Sequence, residues 1–174
     1  IEKLCASDPQ LRRMIVGYHI EGPYMSPLPG YHGAHDPALM KAPDIAEFKL
    51  LQEAAGGRIR LITIAPEQPD SAEFIRHITT HQVVASIGHS EASEGQIDEA
   101  IAAGLTMCTH LGNGIPVHMH RHDNIMQRLL ARDELYACFI HDGIHIPGAV
   151  LRNMVRAKPR DKVIFTTDCM SAAG

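Results

Sequence analysis

The sequence predicts an α/β fold, and within that class a (β/α)8 barrel of the TIM type. Six short runs rich in β-branched and aromatic residues alternate with five helix-like stretches, the pattern of a parallel sheet with crossover helices. Nearly every run delivers a polar residue just past its end, as barrels do when they build a site from the exits of several strands. The alternative, an open doubly wound sheet, gathers its site at one switch point beside a glycine-rich phosphate loop, and no such loop occurs here.

The first run, residues 14–20 (MIVGYHI), ends in Glu21 followed by Gly-Pro. A carboxylate at the edge of a core is costly unless it is paired or bound to a metal, so Glu21 needs a partner. The later runs are 59–65, 82–87, 105–109, 135–140 and 162–167. Their exits are Pro66-Glu67, Gly88-His89-Ser90, His110, His141-Asp142-Gly143 and Asp168.

Between the runs, helices are expected over 43–55, 69–80, 93–103, 122–132 and 147–157. Pro43-Asp44 and Pro69-Asp70 place a proline and an acid in a first turn, and the serines of SEAS are N-cap candidates. Gly56-Gly57 and Gly104 stand where a helix should stop. Ile97, Ala100 and Ile101 form one apolar face.

The 174 residues are enough for one domain, taken here as 1–174. With 45% apolar and 21% charged residues the chain reads as globular. A net charge of −4 gives no reason to expect nucleic acid or a membrane surface as partner. No apolar run is long enough to span a bilayer. The start IEKLC shows no secretory leader and reads as a processed or partial chain. The four cysteines, Cys5, Cys108, Cys138 and Cys169, form no CxxC pair. Cys108 and Cys138 sit in strand-like runs as small hydrophobes, and this usage points to a reducing cytoplasm.

Histidine is the unusual count, at 12. In a barrel, Glu21, His89, His110 and Asp168 converge on one mouth. Two imidazoles and a carboxylate make a three-ligand site for Zn²⁺ or a similar divalent ion with one position open. Such an ion lowers the pKa of bound water to about 7, and Asp168 is placed to take a proton and return it to a leaving group. Singly, each of these residues reads as a hydrogen-bonded loop residue or a helix cap; four independent strand exits together do not. His118, His120 and His122 alternate in a loop and read as solvated; His77 and His81 lie four apart near a helix end and read as surface residues.

The motifs HIEGPY (19–24), GAHDP (33–37), GHSEA (88–92), THLGNGIP (109–116), HDGIHI (141–146) and TTDCMSAAG (166–174) occur in that order. In this ordered set the chain resembles the N-acetylglucosamine-6-phosphate deacetylases of the amidohydrolase superfamily. The resemblance spans residues 17–174 and implies that the six runs are strands three to eight of the barrel. It implies Glu21, His89 and His110 as ligands of a divalent metal, zinc first, with iron, cobalt or manganese as alternatives. Asp168 corresponds to the catalytic acid/base, and His145 to the residue that polarises the amide carbonyl and binds substrate. Ala34, Asn113, Gly114, Arg121, Asp142, Gly143 and Ile144 match substrate-binding positions, Arg121 as the phosphate ligand.

The implied reaction is hydrolysis of the acetamide of N-acetylglucosamine 6-phosphate to glucosamine 6-phosphate and acetate, in a cytoplasmic homodimer. The text NGIPVHMHRHDN departs from the family pattern around the phosphate pocket, and Cys169 replaces the usual alanine after the aspartate. The alternatives are an amidohydrolase acting on another N-acyl or cyclic amide, and a truncated barrel without catalysis.

Overall fold

The computed structural model describes residues 1–170; the tail of TTDCMSAAG, 171–174, lies outside the described residues. The chain opens with two short helices, α1 (Glu2–Ser7) and α2 (Pro9–Met14). β1 (Tyr18–Glu21), α3 (Ile45–Ala54), β2 (Ile59–Ile64), α4 (Ser71–Thr80), β3 (Val84–Ile87) and α5 (Glu94–Ala103) follow. β4 (Leu105–Cys108), α6 (Ile125–Leu130), β5 (Tyr136–Ile140), α7 (Gly148–Ala157) and β6 (Val163–Thr166) complete the order.

All six strands pair in parallel, in the order β1-β2-β3-β4-β5-β6. A doubly wound sheet reverses its strand order at the switch point. Here the order never reverses, and the sheet curls into part of a TIM-type barrel with the helices outside. β1 and β6 are its two edges.

The first run differs from the sequence expectation. Met14 ends α2 rather than starting a strand, and Val16 is exposed. The reason lies upstream: Asp8 accepts hydrogen bonds from the backbone N–H groups of Gln10 and Leu11, with Pro9 in the first turn. That cap and proline start a helix which consumes Met14 before the β-rich stretch can claim it. The sequence predicts no helix before residue 43, so α1 and α2 are additions to that expectation; the later elements fall where expected, with shorter ends. Asp44 caps α3, Asn124 caps α6, and Ser93 with Gln96 forms a capping box on α5. Gly104, at φ 115, closes α5 in the left-handed conformation that glycine adopts without strain.

Strand alternation sorts side chains to two faces. Ile62, Ile64, Ala85, Ile87, Ala137 and Phe139 are buried, in one core with Phe48, Phe74, Ile78, Ile97, Leu129 and Leu151 from the helices. The residues between them in sequence face the inside of the curl. His19, Glu21, Leu61, Met107, Cys138 and Thr166 line a small cavity there, of about 60 Å³. The inner face is therefore polar at its rim, and the site is built there. Cys108 is fully buried and Cys138 half-buried, and all four cysteines are free thiols.

Candidate metal centre at the strand exits

Glu21 is the last residue of β1, in register with Thr63 of β2, which is in register with Ser86 of β3. His89 and His110 stand just past β3 and β4. The three functional side chains meet. Oε1 of Glu21 is 2.7 Å from Nε2 of His89 and 2.8 Å from Nε2 of His110, and the two Nε2 atoms are 3.1 Å apart. Both imidazoles are buried.

His89, His110 and Asp168 share a backbone feature. Five non-glycine residues among those described have positive φ, and these are three of them, at 52°, 27° and 48°. The left-handed region costs a residue with a Cβ roughly 1–2 kcal/mol. Strain of this kind persists where the surroundings over-determine the conformation, and it concentrates at functional sites. Here each strand exit turns sharply and carries its side chain into the mouth.

The hydrogen bonding around His89 bears on what the site can hold. Its Nδ1 lies 2.7 Å from the carbonyl of Tyr31, which only accepts, so Nδ1 carries the proton. In the neutral ring Nε2 then presents a lone pair. Facing it are a carboxylate oxygen and a second imidazole nitrogen. At most one proton, on Nε2 of His110, then serves two acceptors, and Nδ1 of His110 is buried without a partner. A cation resolves this convergence of lone pairs. Zinc ligands 2.0–2.1 Å from a tetrahedral centre lie about 3.3 Å from one another, close to the separations seen here. The donor set of two imidazoles and one carboxylate fits a divalent ion, and the Nδ1 bond to a backbone carbonyl is the support that metal-ligating histidines use.

Burial pushes the Glu21 carboxyl up, but the imidazoles beside it, His110 before His89, outweigh this and hold the group well below the carboxylate range. Burial pulls His110 down, and its bond to Glu21 more than reverses this.

A fourth donor adjoins the three. His35, on the loop after β1, has Nε2 3.8 Å from Oε1 of Glu21, and its ring meets that of His89 edge-on with centroids 5.1 Å apart. Glu21, His35 and His89 alone form a candidate cation group with ligand atoms within 4.8 Å of one another. The set with His110 is tighter, so Glu21, His89 and His110 form the centre and His35 borders it. Sequence reasoning missed His35; the signal was a histidine one residue past Ala34 in GAHDP.

The remaining predicted residues divide. Asp168 lines the same small cavity as Glu21 and His110. Asn113 is anchored to the His110 carbonyl through its backbone N–H, at 2.9 Å, and Nδ2, at 3.2 Å. Gly114, at φ +61, packs on the His89 ring so closely that a Cβ would stand 2.5 Å from Nδ1. Asp142 pairs with Nδ1 of His145 at 2.6 Å and accepts the N–H groups of Ile144 and His145. These bonds, the two backbone ones first, hold the Asp142 carboxyl far below its usual value. Gly143, Ile144 and His145 are exposed after β5, as is Ala34 after β1. Arg121 is exposed in the loop before α6, and no hydrogen bond or ion pair holds it among the described residues. His118, His120 and His122 are exposed there too.

Beneath the centre runs a chain of hydroxyls that the sequence reading passed over. Nε2 of His19 lies 2.7 Å from Oγ1 of Thr63, Thr63 lies 2.8 Å from Oγ1 of Thr109, and Thr109 lies 2.7 Å from Oγ of Ser86. β1, β2 and β3 each supply one link, and Thr109 stands just past β4. Threonine reads as an ordinary strand former, which hid it.

Comparison with known proteins bears on this geometry. No family model matches the chain. The N-acetylglucosamine-6-phosphate deacetylase of Bacillus subtilis (strain 168) is 35% identical over 160 residues, 92% of this chain and 40% of that protein. The deacetylase of the same name from Homo sapiens is 34% identical over 167 residues, again 92% of this chain and 40% of its own. An N-acetylgalactosamine-6-phosphate deacetylase of Escherichia coli O157:H7 is 30% identical over 160 residues, covering 92% and 42%. Among solved structures, the N-acetyl-D-glucosamine-6-phosphate deacetylase of Mycobacterium smegmatis, in complex with N-acetyl-D-glucosamine-6-phosphate, superposes with TM-score 0.85 at 34% identity. That match covers 95% of this chain and 43% of the other. The chain thus spans about two fifths of the length of the curated relatives it matches.

Proposed function

From this likeness to N-acetylglucosamine-6-phosphate deacetylases along 92% of its length, we propose that the chain carries the catalytic mouth of a metal-dependent hydrolase of that kind. The reaction is removal of the acetyl group from N-acetylglucosamine 6-phosphate. The observation that carries the reading is the convergence of Glu21, His89 and His110 within 3.1 Å of one another at three strand exits. Zinc is the ion proposed.

A divalent ion at such a centre activates water near neutral pH and polarises a carbonyl. The chain's own residues do the rest. Glu21, His89 and His110 would hold the ion on the rim of the inner face. Asp168, on the same cavity, takes a proton from the attacking water and delivers it to the amide nitrogen as the C–N bond breaks. Acetate and the free amine are the products. His145, oriented by Asp142, is assigned to the acetamide carbonyl, where a hydrogen bond to the developing oxyanion stabilises the transition state. The exposed segment Asp142–His145 and Ala34 face the sugar. Asn113 and the backbone of Gly114 border its phosphate, and Arg121, whose fork suits two phosphate oxygens, closes on it from its loop. The N-acetylgalactosamine-6-phosphate relative makes a C4-epimeric sugar the second substrate to try. The working protein is proposed to be a cytoplasmic homodimer.

The test is acetate release from N-acetylglucosamine 6-phosphate by the zinc-loaded chain, beside unphosphorylated N-acetylglucosamine and an Asp168→Asn variant. The reading expects turnover that needs the phosphate and vanishes in Asp168→Asn while zinc stays bound. Equal acetate release from wild type and variant sinks it.

A further inference from the structure

Glu67, just past β2, takes no part in the chemistry above, yet it grips the residues that follow His89. Its Oε2 accepts the Ser90 hydroxyl at 2.6 Å and its Oε1 accepts the Glu91 backbone N–H at 2.7 Å. Ser90 is buried, and its oxygen also accepts the Ala92 N–H at 3.0 Å. No Lys or Arg pairs with Glu67 among the described salt bridges. Burial pushes its carboxyl up against the pull of these hydrogen bonds. A half-buried carboxylate without a cation is an expensive loop anchor, since burying a charge costs free energy that neutral acceptors only partly offset.

The return lies in what it holds. His89 sits at φ 52, a conformation that must be imposed on it. On its N-terminal side, Gly88 continues the β3 ladder through its bond to Ile64. Its own carbonyl accepts the Ser26 N–H at 2.9 Å, and its ring is tied to Tyr31. On its C-terminal side the two-point grip of Glu67 on Ser90 and Glu91 is the fixture. We propose that Glu67 is a positioning residue, clamping Ser90 and Glu91 so that the strained turn at His89 aims Nε2 at Glu21 and His110. The proposal rests on the reading of His89 as a metal ligand, and it adds a carboxylate that is not itself a ligand.

The experiment compares the full chain with Glu67→Ala, Glu67→Gln and a core variant, Phe74→Leu, that lowers stability without touching this loop. Two readouts are taken: zinc affinity by competition with a chromophoric chelator, and the NMR signal of the His89 Nδ1–H, which the Tyr31 carbonyl protects from exchange. The expected result is a loss of zinc affinity in Glu67→Ala of about 10–100-fold, the range for residues that orient ligands, with the His89 signal broadened or lost. Glu67→Gln, which keeps the shape and one acceptor oxygen, loses less, and it decides the question if Glu67→Ala does not fold. Phe74→Leu keeps both readouts. Wild-type affinity and an unchanged His89 signal in Glu67→Ala overturn the proposal. If the wild type binds no zinc, the metal reading falls by itself. The His89 signal then still decides the clamp, supporting it if lost in Glu67→Ala and overturning it if retained.

Discussion

His89 and His110 face each other through their Nε2 atoms at 3.1 Å, and Glu21 Oε1 lies within 2.8 Å of both. Like poles brought this close need a cation between them. Zinc at 100 times its dissociation constant is therefore expected to stabilise the chain by about 2.7 kcal/mol. Glu21→Gln and His110→Ala are expected to abolish that rise in melting temperature. A zinc-induced rise of the same size in both variants contradicts the assignment.

The same cluster sets the pH dependence of the metal-free protein. The carboxyl of Glu21 lies below its ordinary 4.5, so its contribution to stability is present above that pH and lost as pH falls through the folded value. His110 lies above its ordinary 6.5, so its contribution is present below that pH and lost as pH rises through the folded value. The cluster therefore stabilises the metal-free chain most between about pH 4.5 and 6.5. Glu21→Gln should flatten both limbs of a plot of melting temperature against pH. Zinc competes with the same protons, so its affinity should climb with pH across this window.

Gly114 tests the second wall of the centre. It sits at φ +61, and a Cβ there would press within 2.5 Å of the His89 ring. Gly114→Ala is expected to cost 1 kcal/mol or more, roughly, because alanine at positive φ is strained even before the clash. It should also move His89 off Glu21, so zinc binding falls further than stability does. Urea denaturation beside zinc titration separates the two effects.

Much of this was legible in the sequence because it is local. A parallel α/β alternation shows in the apolar runs and their caps, and the exits Glu21, His89, His110 and Asp168 are read directly from the residue that follows each run. That they meet depends on the curl of the sheet, which sequence order implies only once a barrel is assumed. The first run was misread at Met14 because an N-cap at Asp8, six residues away, outranked β propensity. His35 and Glu67 act from loops through long-range contacts with Glu21 and Ser90, and no periodicity marks such contacts. Thr63, Ser86 and Thr109 were visible as single hydroxyls in apolar strands, but only the strand register shows that they touch.

Those hydroxyls support the last prediction. Thr109 immediately precedes His110, and its Oγ1 lies 2.8 Å from Thr63 and 2.7 Å from Ser86. Thr63 and Ser86 have no exposed surface, so neither has water to turn to. Thr109→Val keeps the shape but removes the shared partner. Thr63 retains His19 at 2.7 Å, whereas the described bond of the Ser86 hydroxyl is lost. Leaving a buried hydroxyl without its partner costs about 1–3 kcal/mol. The double variant Thr109→Val with Ser86→Ala removes donor and acceptor together and should recover part of that loss, since an empty apolar pair is cheaper than a stranded hydroxyl. Denaturant midpoints of the two single variants and the double variant, read as a cycle, measure the coupling. Simple additivity would mean that the chain of hydroxyls fills space beneath His110 and contributes no hydrogen-bond energy of its own.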